Sequence, residues 1–131
     1  MRSIAIGFSF SFEQPGKANS AYSMNGSQMS MMLEVMRAAK AIREQGCDPN
    51  WTLLPDGVPH AKFRSNDNHH VTPEECLVIA TRLREGLADG TVSETFSFFD
   101  DAPPSKECRK WVHEWADYNE RAAAAGGYRV R

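Results

Sequence analysis

The residues of this chain best suited to chemistry are its histidines, cysteines and paired carboxylates, and none of them forms a complete set. Asp67, His69 and His70 are metal-ligand types close together in sequence. Adjacent histidines in an extended chain point to opposite sides, however, and no second ligand group stands at metal spacing, so a turn before a helix explains them better and no metal is expected. A Cys–His nucleophile would pair Cys47, Cys76 or Cys108 with His60, His69, His70 or His113. It would need an activating motif, a nucleophile elbow or a glycine-rich oxyanion loop, and the sequence has none of them. Of the paired carboxylates, Glu74 and Glu75 open a helix, where the dipole favours negative charge, and Asp100 and Asp101 precede a proline break. There is no Walker loop, and Gly7 alone makes no dinucleotide fingerprint. The expectation is a protein with no catalytic residues and no cofactor that acts by binding.

The stretch with a chemistry of its own is KANSAYSMNGSQMS, from Lys17 to Ser30. A loop rich in Ser, Asn and Gly that runs into a helix N-terminus presents unpaired backbone N–H groups to an anion, although ordinary capping accounts for the same residues. The candidate ligand-binding residues are therefore Lys17, Asn19, Ser20, Tyr22, Asn25 and Ser27, joined by the cations Lys62 and Arg64. Tyr22, Trp51 or Phe63 would offer a stacking face, so the expected partner is a small anionic molecule or a nucleotide. A rival reading takes the methionine-rich helix that follows, and the edges of a small sheet, as a docking surface for a protein or a second copy of the chain.

These residues must be positioned by a short series of elements. Ile4, Ile6, Phe8, Phe10 and Phe12 alternate with Ser3, Ala5, Gly7, Ser9 and Ser11, the period of a strand with one bulky face and one small one. The small face would let a helix, partner or ligand approach the backbone closely. Glu13 to Ser27 has no periodicity and reads as a loop. A helix follows from about Gln28 to Gln45, capped by Asn25 or Ser27 and stopped by Gly46, with Met29, Met32, Leu33 and Met36 on its apolar side.

Beyond a proline-rich connection, Lys62, Phe63 and Arg64 read as a short strand and Asn66 to Asn68 as a turn. Thr72, Pro73 and Glu75 then announce a helix by cap, first-position proline and capping box, with Val71 set to staple against Cys76. Cys76, Ile79, Ala80, Leu83 and Leu87 repeat along it, and Gly90 ends it. Thr91 to Phe99 fits a strand or a loop that pins aromatic residues and is assigned to strand, Ser105 reads as the cap of a last helix to about Ala125, and Tyr128 to Arg131 as a terminal strand after two glycines. Phe8, Phe10, Leu33, Met36, Ile79, Leu83, Trp111 and Trp115 are the expected core. The architecture implied is a single α+β domain over residues 1–131: a small, mostly antiparallel sheet with three amphipathic helices packed mainly on one face.

Composition narrows the partners further. A chain of 131 residues can bury a core without metal or disulfide staples. Fifteen Lys and Arg stand against 17 Asp and Glu, a net charge of -2 with no long basic run, which argues against binding long nucleic acid. Three cysteines, an odd count with no C-x-x-C spacing, fit a reducing compartment and a cytoplasmic location. The opening MRSIAIGFSFSFE alternates with serine and lacks a cleavage site, so it is no signal peptide, and no stretch approaches the roughly 20 apolar residues of a membrane span.

Gly46-Cys47-Asp48-Pro49, then Ser65-Asn66-Asp67 followed by Val71-Thr72-Pro73-Glu74-Glu75, then Trp111, Trp115 and Gly126-Gly127-Tyr128-Arg129-Val130 occur in this order. From Met24 to Val130 the chain thereby resembles a family of small uncharacterised bacterial and phage proteins with the patterns G-W-x-P, S-N-D-G, V-[ST]-x-E-[DE] and a terminal G-G-F-x-[IV]. Cys47 stands where that family has tryptophan, Asn68 where it has the turn glycine, and Ala122 to Ala125 extend the last helix. The resemblance implies one fold unit and no named activity. For a phage-type protein of this size it implies sequestration of a nucleotide signal used in host defence, with phosphate held at a helix N-terminus and the base stacked.

Overall fold

The structure, a computed structural model, describes residues 7–14, 21–43, 57–63 and 68–131. The alternation of the first strand is realised in β1, Gly7–Phe12: Phe8, Phe10 and Phe12 are buried while Gly7 and Ser9 are exposed. Its neighbour is β2, Ala21–Asn25, antiparallel, with Phe8 opposite Met24 and Phe10 opposite Tyr22. A loop was expected there. Only Tyr22 and Met24 mark the alternation in AYSMN, and the strand exists because β1 supplies a partner that local composition does not reveal.

α1, Gly26–Ala38, opens on a full capping box. Gln28 N–H donates to Asn25 Oδ1 at 2.7 Å, and Asn25 N–H donates to Gln28 Oε1 at 3.0 Å. The helix stops seven residues before the expected Gln45. Lys40 adopts φ 62°, Lys40 N–H donates to Arg37 O and Ala41 N–H to Met36 O, the paired bonds of a Schellman ending with lysine where glycine is usual. Ile42–Arg43 then forms β3, parallel to β4, Val58–Pro59. Met29, Met31, Met32 and Met36 are all buried, so the methionines fill the core and do not form the open docking surface of the rival reading.

His60–Phe63 is a 3-10 turn, not the strand expected at Lys62, and His69–Val71 is a strand, β5, where a turn was expected for the two histidines. α2, Pro73–Asp89, is the helix its signals announce. Thr72 and Glu75 complete the capping box, Val71 and Cys76 are both fully buried, and Gly90 at φ 89° ends it. The residues expected as a strand form a short helix instead, α3, Thr91–Phe96. Asp89 Oδ1 accepts from Thr91 N–H at 2.9 Å, and Val92 and Phe96 bury together at i, i+4 spacing, which overrides the strand preference of TVSETF.

α4, Ser105–Ala123, starts from Pro104, and no side chain caps it, so Ser105 is its first residue and not its cap. Trp115 is fully buried, whereas Trp111 and Leu33, both expected in the core, are only partly covered. Gly126 and Gly127, at φ 81° and 84°, turn the chain into β6, Tyr128–Val130, and a Cβ on Gly127 would collide with the carbonyl oxygen of Val71.

The result is an α+β fold. The sheet has the order β2-β1-β6-β5, antiparallel throughout, and one apolar core draws on all four helices and on the inner sheet face. α2 and α4 lie side by side, bridged by Arg84, which pairs with Asp117 and Glu120. Among the described residues no helix is long and apolar enough to cross a membrane.

Candidate functional site

With the helices on one side, the other face of the sheet can be built residue by residue from the strand register. Ser9 stands opposite Ser23 in β2. It also stands opposite Arg131, since Ser9 N–H donates to Arg131 O at 2.7 Å and Arg131 N–H to Ser9 O at 2.8 Å. One step along, Ser11 lies between Ala21 and Arg129, and Arg129 is opposite His70. Paired residues of antiparallel strands share a face. Ser23, Ser9 and Arg131 therefore form one row, and Ala21, Ser11, Arg129 and His70 the next, both pointing away from the helices.

The two halves of this face differ in chemistry. Over β1 and β2 it is a floor of small side chains, with a depression of about 440 Å³ bordered by Ser9, Ser11, Ala21, Ser23 and Arg131. Over β6 and β5 it is cationic and hydrogen-bonded. Arg129 donates from Nε and Nη2 to the Glu13 carboxylate at 2.9 and 3.3 Å, and from Nη1 to Asn68 O at 3.2 Å. That hydrogen bond with Arg129, helped by its charge, holds the Glu13 carboxyl below its ordinary range. Arg131 donates only its Nε, to Asn68 Oδ1 at 3.1 Å, which leaves its terminal nitrogens without a partner among the described residues. Asn68 serves both arginines from the left-handed region, φ 68°, a conformation asparagine tolerates. His70 Nε2 lies 2.9 Å from Gly126 O and, facing a carbonyl, carries the proton there.

The residues singled out from sequence do not converge on one site. Lys17, Asn19, Ser20 and Arg64 lie outside the described residues, as do Cys47, Trp51 and Asp67. Tyr22 points to the helix side, its ring 5.4 Å from Trp115 and 5.3 Å from Tyr118. Asn25 spends its side chain on the capping box, and Ser27 is exposed in the first turn of α1. Lys62 is no ligand-binding cation: it is 1% exposed and donates to Glu75 Oε1 and to His70 O. A buried ammonium needs a counter-charge, and the capping carboxylate supplies it. Lys62 sits beside β5 and Tyr22 on β2, strands at opposite edges of the sheet. Phe63 is fully buried and offers no stacking face.

The cysteines behave as core residues. Cys76 donates to Val71 O, and burial, aided by the Glu75 charge, pushes its thiol up to about 12. Cys108 donates to Pro103 O, and burial raises it too. A thiol kept protonated is a poor nucleophile. Among the described residues no group of His, Cys, Asp and Glu is arranged to hold a metal ion.

Arg129 and Arg131 are the functional candidates that reading the residues one by one passes over. Their signal is the alternation of Tyr-Arg-Val-Arg, which puts both arginines on one face, but the serine strand beside them is over a hundred residues away in sequence. No protein family, curated protein or solved structure matches the chain.

Proposed function

We propose that the protein binds a small anionic ligand on the open face of its sheet and acts by sequestering it, without turnover. The observation that carries this reading is Arg131, whose two terminal guanidinium nitrogens have no partner among the described residues and lie beside the depression bordered by Ser9, Ser11 and Ser23. A planar guanidinium next to hydroxyls suits a phosphate or carboxylate, and the small floor lets the ligand reach the sheet. The described residues of this face carry no aromatic ring besides His70, so charge and hydroxyl hydrogen bonds, not base stacking, carry recognition. A nucleotide defence signal falls within this ligand class, and that biological role comes from the motif resemblance.

A second reading is favoured by the flatness of Gly7, Ser9, Ser11, Ala21 and Ser23, which would let another sheet, including that of a second copy, pack directly on this face. Thermal unfolding with inorganic phosphate, pyrophosphate and a panel of mono-, di- and cyclic nucleotides separates the two. A ligand at 100 times its Kd should add about 2.7 kcal/mol of stability. Arg131→Ala should remove that gain while changing the unliganded protein by less than about 0.5 kcal/mol. No stabilisation by any of these anions, together with a dimer in sedimentation that Ser9→Trp dissociates, would reject the anion reading in favour of the second.

A further inference from the structure

The corner where α3 turns into α4 sets one large aromatic ring in solvent among polar and acidic side chains. Phe96 is buried, its ring 5.9 Å from that of Trp111, and Phe99 packs partly against the core. Phe98, between them, is 77% exposed, more than the other exposed large apolar side chain described, Leu77 at 52%. The turn itself does not need that ring. Its backbone bonds, Phe98 N–H to Thr95 O and Phe99 N–H to Phe96 O, would form with a polar residue at the same position. In the same corner lies a hollow of about 380 Å³ whose apolar wall is Phe96, Phe99, Ala102 and Pro103 and whose polar edge is Ser93, Ser97 and Ser105. Covering an aromatic ring left in water near such a hollow would remove apolar surface from solvent without disturbing the turn.

The charges around this corner say what kind of partner fits. Glu94, Asp100, Asp101 and Glu107 are all exposed, and no ion pair engages them among the described residues. Lys106 is the only cation between residues 91 and 107. The next, Arg109, is already committed, its Nη1 donating to Leu87 O at 3.1 Å and reaching Ser93 Oγ at 3.5 Å. A second copy of the chain docked here about a two-fold axis would bring these carboxylates against their own counterparts, which is repulsive.

We propose that the α3–α4 corner docks a protein segment in which an apolar side chain is flanked by Lys or Arg, the apolar group covering Phe98 and filling the hollow while the cations meet the carboxylate rim. This surface is separate from the open sheet face and does not depend on anion binding there.

The test is fluorescence anisotropy of the full chain with labelled short peptides that carry one Phe, Leu or Trp between lysines and arginines. Two control sets replace the basic residues by Glu or the apolar one by Ser. The basic apolar peptides should bind, and both control sets should bind at least about tenfold more weakly. Raising salt from about 0.15 to 0.5 M should weaken the complex. Phe98→Ser and the double variant Asp100→Lys/Asp101→Lys should each weaken it about tenfold with thermal unfolding unchanged, since all three side chains are exposed. Failure of every basic apolar peptide to bind would overturn the proposal, as would equal binding of the Ser controls. A self-association that Phe98→Ser abolishes would also overturn it, because the occupant would then be a second copy.

Discussion

The two faces of the sheet are built from alternate residues of the same strands, yet they carry different kinds of free energy. On the inner face Phe10 lies 4.8 Å from Trp115 and 5.7 Å from Tyr128, and Trp115 stacks on Tyr118 at 5.6 Å and 7°. The polar groups of Tyr128, Asn119 and Trp115 are engaged. Tyr128 donates to Asn119 Oδ1 at 2.8 Å, Asn119 Nδ2 to Trp115 O at 2.9 Å, and Trp115 Nε1 faces Met36 Sδ at 3.5 Å. Burial holds the Tyr128 phenol well above its ordinary range, so it stays a neutral donor. At the positions between, the outer face has serines, an alanine and a guanidinium whose terminal nitrogens have no partner among the described residues. Packing free energy resides in one set of positions, and the proposed binding draws on the other.

The largest effect should come from the inner set. Trp115→Ala is expected to cost about 3 to 5 kcal/mol in chemical denaturation, whereas Ser9→Ala should stay within about 0.5 kcal/mol. Comparable losses at the two positions would mean that the outer face is also structural and would end the distinction.

A second test concerns the buried charged pair of Lys62 and Glu75. Lys62 ties the 3-10 turn to β5 and to the capping carboxylate of α2, and Glu75 Oε2 is buried with no other partner. Lys62→Met should therefore cost about 3 to 5 kcal/mol, because it strands a carboxylate in the core. Adding Glu75→Gln to that variant should recover much of the loss, since glutamine serves the capping box equally well without charge. If the double variant is no more stable than the single one, the loss comes from packing of the lysine stem and not from the unpaired charge.

The same division explains what could be read from the sequence. The bulky alternation of β1, the capping signals of α2 and the glycine pair before β6 are local patterns, and local patterns are legible. α1 was read too long because its left-handed ending uses Lys40 where glycine would have advertised it. β2 and α3 are not legible locally because their state is set by neighbours: β1 offers a partner to AYSMN, and the core takes Val92 and Phe96 from one side of a helix. The candidate site was legible only in halves. The small face of β1 and the terminal Tyr-Arg-Val-Arg each stand out, but only the register places Arg131 beside Ser9. Lys62 looks like a ligand-binding cation in the sequence, which does not show that Glu75 faces it.

The smallest expected effect, and the most direct probe of the outer face, is the protonation of Glu13. Its pKa in the folded protein is lowered from the ordinary 4.5, first by the Arg129 hydrogen bond, so the pair's contribution is present above that value. It is lost as pH falls below 4.5 and through the depressed folded value. Both side chains are about a third exposed, 31% for Arg129 and 37% for Glu13, so the pair should be worth only about 0.2 to 1 kcal/mol and be weaker in high salt. Glu13→Gln should lose that amount at neutral pH and match the wild type in acid. The same substitution frees Arg129 from its counter-ion, one position along the face from Arg131. If the outer face is an anion site, Glu13→Gln should therefore bind pyrophosphate more tightly than wild type at neutral pH, by isothermal titration calorimetry. An unchanged or weaker affinity would leave Arg131 acting alone and confine the site to the serine half of the sheet.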